Sequence, residues 1–428
     1  MGRQAKERLP QALPPVEKVS LDGKHMGLRI GAFILCLAVG VGALTFGVSQ
    51  WLSAEPGWTT VSVTVEEKSC GGEFTLNYLL GQNGRDPTQE LRSVRAAYNQ
   101  IAVRAYRLFT TAEGFDDPDD LGVSHNLYYL NSHPNEEVAV DPALYLVLEQ
   151  AEAQGSRALY LGPLYSVYND LFFCQTDGEA RELDPFQSQE IQTFCQELAG
   201  FARQPEHVQV ELLGENRVRL RVSEEYRAYA EGVDRACYVD LGWLRTAFLA
   251  DYMAEELAAR GLDSGMLSSY DGCTRTLGLP IGQQVFSLYD WAGDRAVTAA
   301  QTAFDSPVNA VSLRTFPLNQ RDEGRCYVFE DGGLRHWFID PKDGLCRAAV
   351  DSLALYSPEL GCGQLALEAE SLLIADRLDR AALGRLRQKG IQALAAEDRV
   401  VLFTQAELPL TGLYEQNEEV YHTEYIGE

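Results

Sequence analysis

Apolar residues fall in short runs between charged and turn-forming stretches along most of the chain, and their spacing switches between two periods. Alternation marks TTVSVTVEE (59–67) and EFTLNYLLG (73–81) as strands. From about Thr88 the steps become helical: Leu91, Val94, Tyr98, Ile101, Ala105 and Leu108 form one stripe. EGFDDPDDLGVSHN (113–126) is a polar loop, and Asp141-Pro142 opens a second helix with proline at a first-turn position. A third helix is expected near 187–203, and VQVELLGENRVRLRVS (208–223) reads as a hairpin turning at Gly214-Glu215-Asn216. In VDLGWLRTAFLADYMAEELAARG (239–261) a short apolar strand runs into D-L-G and then into an amphipathic helix. Asp240 can cap that helix, Gly261 can end it, and Leu244, Ala247, Phe248, Met253 and Leu257 make its buried face. QQVFSLYDW, NAVSLRTF, RCYVFE, LRHWFID and AAVDSLALY follow as strands, then helices at about 363–375 and 379–389 and a last strand, DRVVLFT. The tail from Glu415 is acidic and expected to be loose. This alternation, without internal repeats, predicts an α/β (α+β) architecture.

One run breaks the pattern. Ile30 to Ala54 carries no charge, about the length needed to cross a bilayer, with Trp51 at its outer edge. Before it stand Arg3, Lys6, Arg8, Lys18, Lys24 and Arg29 against Glu7, Glu17 and Asp22. The basic excess predicts a single-pass membrane protein with residues 1–29 as a cytoplasmic tail, an anchor at 30–52 and an extracytoplasmic bulk. A cleaved signal peptide is the alternative; no small-x-small site follows the run to support it.

The formal net charge is −26, and with +3 in the tail the part after the anchor carries about −29. It argues for a solvated surface and against nucleic acid, whose phosphates would be repelled. Of nine cysteines, those after Cys36 show no CxxC pair or metal spacing, leaving disulfides and buried thiols both open.

Candidate chemistry is sparse. Asp251 lies close to the buried face of its helix, where a carboxylate needs a partner. SGMLSSYDGCTRTLG (264–278) is rich in small residues around an Asp271-Gly272 turn. RHWFIDPKDG (335–344) puts His336 four residues from Asp340, ahead of a proline turn closed by Gly344. In CGQLALEAESLLIAD (362–376), Glu368 and Glu370 point about 200° apart on a helix, so they do not pair on a metal. Each feature also has an ordinary structural use in caps, turns and core hydrogen bonds.

Taken in order, LGPLYSVYND (161–170), D-L-G with Asp251 (240–251), the turn at Asp271 and FIDPKDG (338–344) resemble the FAD:protein FMN transferase (ApbE-like) family over about residues 70–405. The resemblance implies a two-lobed α/β fold binding FAD between the lobes. It also implies Mg²⁺-dependent transfer of FMN to a Thr or Ser hydroxyl of a partner, such as a membrane flavoprotein, with release of AMP. It further implies a domain at 70–405 followed by an acidic tail at 406–428. Carried over residue by residue, FAD falls to Asp240, Gly242, Thr246, Asp251, Tyr270 and Asp271, the catalytic role to His336 and Asp340, and the metal to Glu370.

The departures from the family pattern are many. Its Lys-Gly pair reads Thr246-Ala247, and its G-G-D turn reads Ser269-Tyr270-Asp271. Its His falls on Trp337, the Thr before the turn glycine is Asp343, and its late Asp and Thr metal ligands fall on Ala366 and Glu370. Three readings follow: a non-catalytic, membrane-tethered binding or scaffold protein, an active Mg²⁺-dependent transferase with a rearranged metal shell, and an unrelated extracytoplasmic solute-binding domain.

Overall fold

The computed structural model describes residues 54–62, 68–115, 123, 125–278, 282–322, 324–413, 415–416 and 419–427. The expected anchor at 30–52 lies outside them, and among the described residues no helix is long and apolar enough to cross a membrane.

Nine strands form the central sheet, in the order β1 (Gly57–Val61), β2 (Phe74–Leu80), β6 (Gly265–Ser269), β7 (Cys273–Leu277), β10 (Asn309–Arg314), β13 (Ser352–Ser357), β14 (Gln392–Glu397), β15 (Val400–Phe403) and β19 (His422–Tyr425). The first eight are joined antiparallel, and only β19 runs parallel to its neighbour. Helices cover one face: α1 (Pro87–Phe109) on β1 and β2, α8 (Arg245–Ala259) on β6 and β7, and α9 (Cys362–Leu373) on β10 and β13. On the other face a long hairpin, β8 (Gln284–Ala292) with β9 (Arg295–Phe304), packs on β10, β13 and β14 and is extended by β16 (Leu410–Thr411). Every residue of β13 is buried, as a strand covered on both faces should be. Smaller ladders pair β11 (Cys326–Val328) with β12 (Leu334–His336), and β17 (Glu415–Gln416) with β18 (Glu419–Val420).

A second group of elements is inserted between α1 and α8. It holds α2 (Leu127–Ser132), α3 (Pro142–Gln154), α4 (Gly162–Phe172), α5 (Asp177–Leu183), α6 (Gln189–Ala202) and α7 (Glu224–Gly232). With them stands a sheet of β3 (Glu137–Ala139), β5 (Arg217–Val222) and β4 (Val208–Gly214). A last short helix, α10 (Arg380–Arg385), precedes β14.

Local chemistry explains the elements. The Gln89 amide donates to the Asp86 carboxylate at 2.8 Å, which caps α1 one residue before its proline. The expected stripe of α1 is buried except Leu91, whose place inside is taken by Glu90, accepting from the Gly81 amide at 2.7 Å. The turn of the β4–β5 hairpin has positive φ at Gly214, Glu215 and Asn216.

Three expectations are corrected. The apolar segment ahead of D-L-G is extended but belongs to no strand. The Asn131 side chain takes the place of a neighbouring strand, with its Nδ2 donating to Val239 O and its Oδ1 accepting from Val239 N, both at 2.8 Å. Two strands with no strand signal, β9 and β14, are rich in alanine, a residue poor in strands, and are held by tight layer packing. The tail is ordered at its end, where β19 pairs with β15. All eight cysteines of the described residues are free thiols.

Val239 is fully buried, so Asn131→Ala leaves its amide and carbonyl unpaired. Unfolding in urea should show a loss of about 2–4 kcal/mol; unchanged stability would mean that solvent reaches these groups.

Candidate functional site

The D-L-G turn is built from its own backbone. The Asp240 amide donates to Leu159 O at 2.9 Å, and its carboxylate accepts from the Gly242 amide at 2.7 Å and the Thr111 hydroxyl at 3.2 Å. Asp240 therefore binds the first amide of the short 3-10 turn Gly242–Leu244 that precedes α8, and does not cap α8 itself. Burial pushes its carboxyl above the usual range, opposed by the Gly242 amide. Gly242 has φ +50°, and a Cβ there would overlap the Tyr165 ring, which comes from the G-P-L segment. Two of the sequence motifs are thus packed directly on one another. Thr246 is buried on the next turn, while Arg245 crosses to Glu73 at 2.7 Å.

Asp251 works between helices. Its carboxylate accepts from the amides of Cys362 (2.7 Å) and Gly363 (2.8 Å) and forms an ion pair with Arg275 at 2.9 Å. The two amides open α9, so Asp251 caps that helix from a distance and complements its dipole.

Asp271 sits in a charge network. It accepts from the Ser269 hydroxyl and pairs with Arg325 at 3.3 Å. Arg314 donates to Asp271 O and Tyr270 O, each at 3.1 Å, and to the Asp322 carboxylate at 2.8 Å. Asp322 also accepts from the Leu318 amide at 2.8 Å. The Arg314 and Asp322 side chains are only 6% and 5% exposed, so this pair is built into the interior. The Tyr270 side chain points away from the network, its hydroxyl bonded to Thr75 at 3.2 Å and its ring under the Arg321 guanidinium.

Four positions at which the chain departs from or keeps the motif pattern meet around one cavity: Ala247, Asp271, Trp337 and Ala366. Trp243 and Phe338 close it, edge to face at 5.5 Å, and Arg325 lies over the Trp337 ring at 5.0 Å. Its volume is about 30 Å³, room for about one or two waters. The buried Trp243 Nε1 has no partner among the described residues, which a water there would supply.

The remaining predicted residues go elsewhere. His336 does not line the cavity; its Nδ1 accepts from the Phe338 amide at 3.3 Å. Asp340 is buried in its own turn, accepting from the Lys342 amide at 2.9 Å, with Arg347 at 3.4 Å. Burial pushes the Glu370 carboxyl upward, opposed by the nearby Ser156 hydroxyl, and Tyr165 lies close by. Among the described residues no three His, Cys, Asp or Glu side chains converge at metal-binding spacing. Sequence reasoning missed Arg314, Asp322 and Arg325; the one available signal was an arginine ending a strand pattern at NAVSLRTF, where the next turn had to neutralise it.

Burial, with Arg335 beside it, pushes the His336 imidazole down to about 3. A histidine held neutral in the fold gives stability that is complete above its unfolded pKa of 6.5 and lost as pH falls toward 3. The slope is about 1.4 kcal/mol per pH unit, so in His336→Gln the stability difference between pH 7 and pH 5 should shrink by about 2 kcal/mol. Equal acid losses in both proteins would show that the imidazole charges freely.

No protein-family model matches the sequence, and no curated protein matches it. Solved structures do. The ApbE protein of Thermotoga maritima matches with a TM-score of 0.53 at 14% identity, over 80% of this chain and 94% of its own. The flavin transferase ApbE of Vibrio cholerae matches with 0.52 at 16% identity, over 84% of this chain and 96% of its own. With the strand order, the interlocked motifs and the shared cavity positions already in place, the chain has the fold of the ApbE flavin transferases.

Proposed function

We propose that this protein is a non-catalytic relative of the flavin transferases, anchored in the membrane and kept for binding or scaffolding outside the cytoplasm. The observation that carries the reading is the cavity of about 30 Å³ at the positions where the family pattern places its ligand-handling residues. A small-molecule site needs about 300–1,000 Å³, so water fits here and a dinucleotide does not. Indole and phenyl rings fill the space, and Arg314 and Arg325 are neutralised by Asp322 and Asp271 instead of by phosphates. A magnesium ion does not fit either. Its family ligand positions are Ala366 and Glu370; the first has no donor, and among the described residues no group of three His, Cys, Asp or Glu side chains forms around the second. No step of transfer chemistry is therefore derived for this chain. The partner that best suits the reading is a membrane protein, a flavoprotein included, met through the surface and not through the cleft.

Titration of FAD with the full-length protein, with and without Mg²⁺, tests this. The flavin fluorescence should show no saturable quenching below about 1 mM, and no AMP should form. Quenching that requires Mg²⁺ would replace the reading with that of an active transferase. Orientation has its own check: an alkaline phosphatase fused after residue 428 should be active, and an inactive fusion would put the domain in the cytoplasm.

A further inference from the structure

Among the described residues, the face of the sheet opposite α1 and α8 is partly open at the β1 edge. There Trp58 and Thr60 of β1, Asn77 of β2, Met266 and Ser268 of β6 and Thr274 of β7 share one face, as the pairings Thr60↔Asn77, Asn77↔Met266 and Ser268↔Thr274 require. Together with the start of β8, Gln283 to Phe286, they line a pocket of about 480 Å³. This volume lies within the range of small-molecule sites, about 300–1,000 Å³. It is separate from the filled cavity described above and shares no residue with it.

The lining has a distinct chemistry. Among the described residues no Asp, Glu, Lys, Arg or His contributes to it, although the chain carries a net charge of −26. An anion would find no cation there, and a cation no carboxylate. The floor carries uncharged donors and acceptors in set orientations. Asn77 Oδ1 accepts from the Thr60 hydroxyl at 2.8 Å, which fixes the amide. Its Nδ2 has no protein partner among the described residues. Thr274 donates to the Ser268 Oγ at 3.1 Å, which leaves the Ser268 hydrogen to point elsewhere. One wall is rigid: the Gln284 amide is used up by Val308 N at 2.9 Å and Thr276 Oγ1 at 3.0 Å. Apolar surface stands beside this floor, with Trp58 47% exposed and Val285 56% exposed. A wholly apolar ligand would desolvate the amide and hydroxyls without bonding them.

A ligand matching this pocket is neutral, presents an apolar face to an indole and carries hydroxyls around its rim. We propose that the pocket is a binding site for a neutral saccharide, with Trp58 as the stacking platform and Asn77 and Ser268 as hydrogen-bonding partners. A sugar ring offers its C–H face to the aromatic plane and its O–H edge to amides and hydroxyls. This inference does not depend on whether flavin chemistry is retained.

Maltotriose and tri-N-acetylchitotriose are the probes, titrated into the full-length protein in a detergent without a sugar headgroup. Intrinsic tryptophan fluorescence and saturation-transfer NMR are the readouts. At least one probe should saturate with a Kd of about 1 mM or tighter, Trp58→Ala should weaken it about tenfold or more, and Trp58→Phe should restore part of the loss. Phe173→Ala, an exposed aromatic elsewhere, should leave binding unchanged. Trp58 is solvent-facing, so thermal unfolding should confirm that its variants remain folded. The inference is overturned if neither probe saturates up to about 10 mM, or if binding survives Trp58→Ala unchanged.

Discussion

The arrangement of the central layer depends on one carboxylate. Asp251 reaches from α8 to the first amides of α9, and a side chain at Gly361 would take the carboxylate's place. The contact satisfies two of the amides that a helix start leaves unpaired and puts a negative charge at the positive end of its dipole. It fixes the axial position of α9, and with it the directions of Ala366 toward the cavity and Glu370 toward Ser156. Arg275 closes the arrangement from the sheet, so helix, helix and strand meet at a single group. An acid in this position is required by the architecture whether or not any ligand is bound.

The small cavity rests on two features, packed rings and internally paired charge. The volume is occupied by Trp243, Trp337 and Phe338. The charges are paired internally, Arg314 with Asp322 and Arg325 with Asp271. Taking away one partner of such a buried pair costs about 3–5 kcal/mol, so the network is now part of the stability of the domain.

Much of this was legible in the sequence and some was not, for reasons that can be named. The helical stripe of α1 could be read from its period, every position but Leu91 being buried, whereas of the site residues expected from the sequence only Asp271 lines the cavity. The alanine-rich β9 and β14 were invisible, since alanine favours helices and only the closeness of the hairpin to the sheet selects it there: Ala299, Ala300, Ala393 and Ala395 are wholly buried. The strand expected before D-L-G failed for the converse reason, an apolar segment whose bonds are met by one asparagine side chain. The charge network was hidden because its members come from a strand end and two turns, and pairing across loops has no sequence period.

The parallel pairing of β19 with β15 bears on how the chain matures. Every other junction of the sheet is antiparallel, and the β15 edge is covered by residues 422–425, well after the strand they protect. While these residues are still being synthesised, β15 presents a row of unpaired amides and carbonyls beside an otherwise assembled sheet. A ribosome stall, a truncation or a clipped tail would release a domain with an intact core and one adhesive edge. Residues 422–425 thus cover a strand edge that would otherwise be free to pair with another chain.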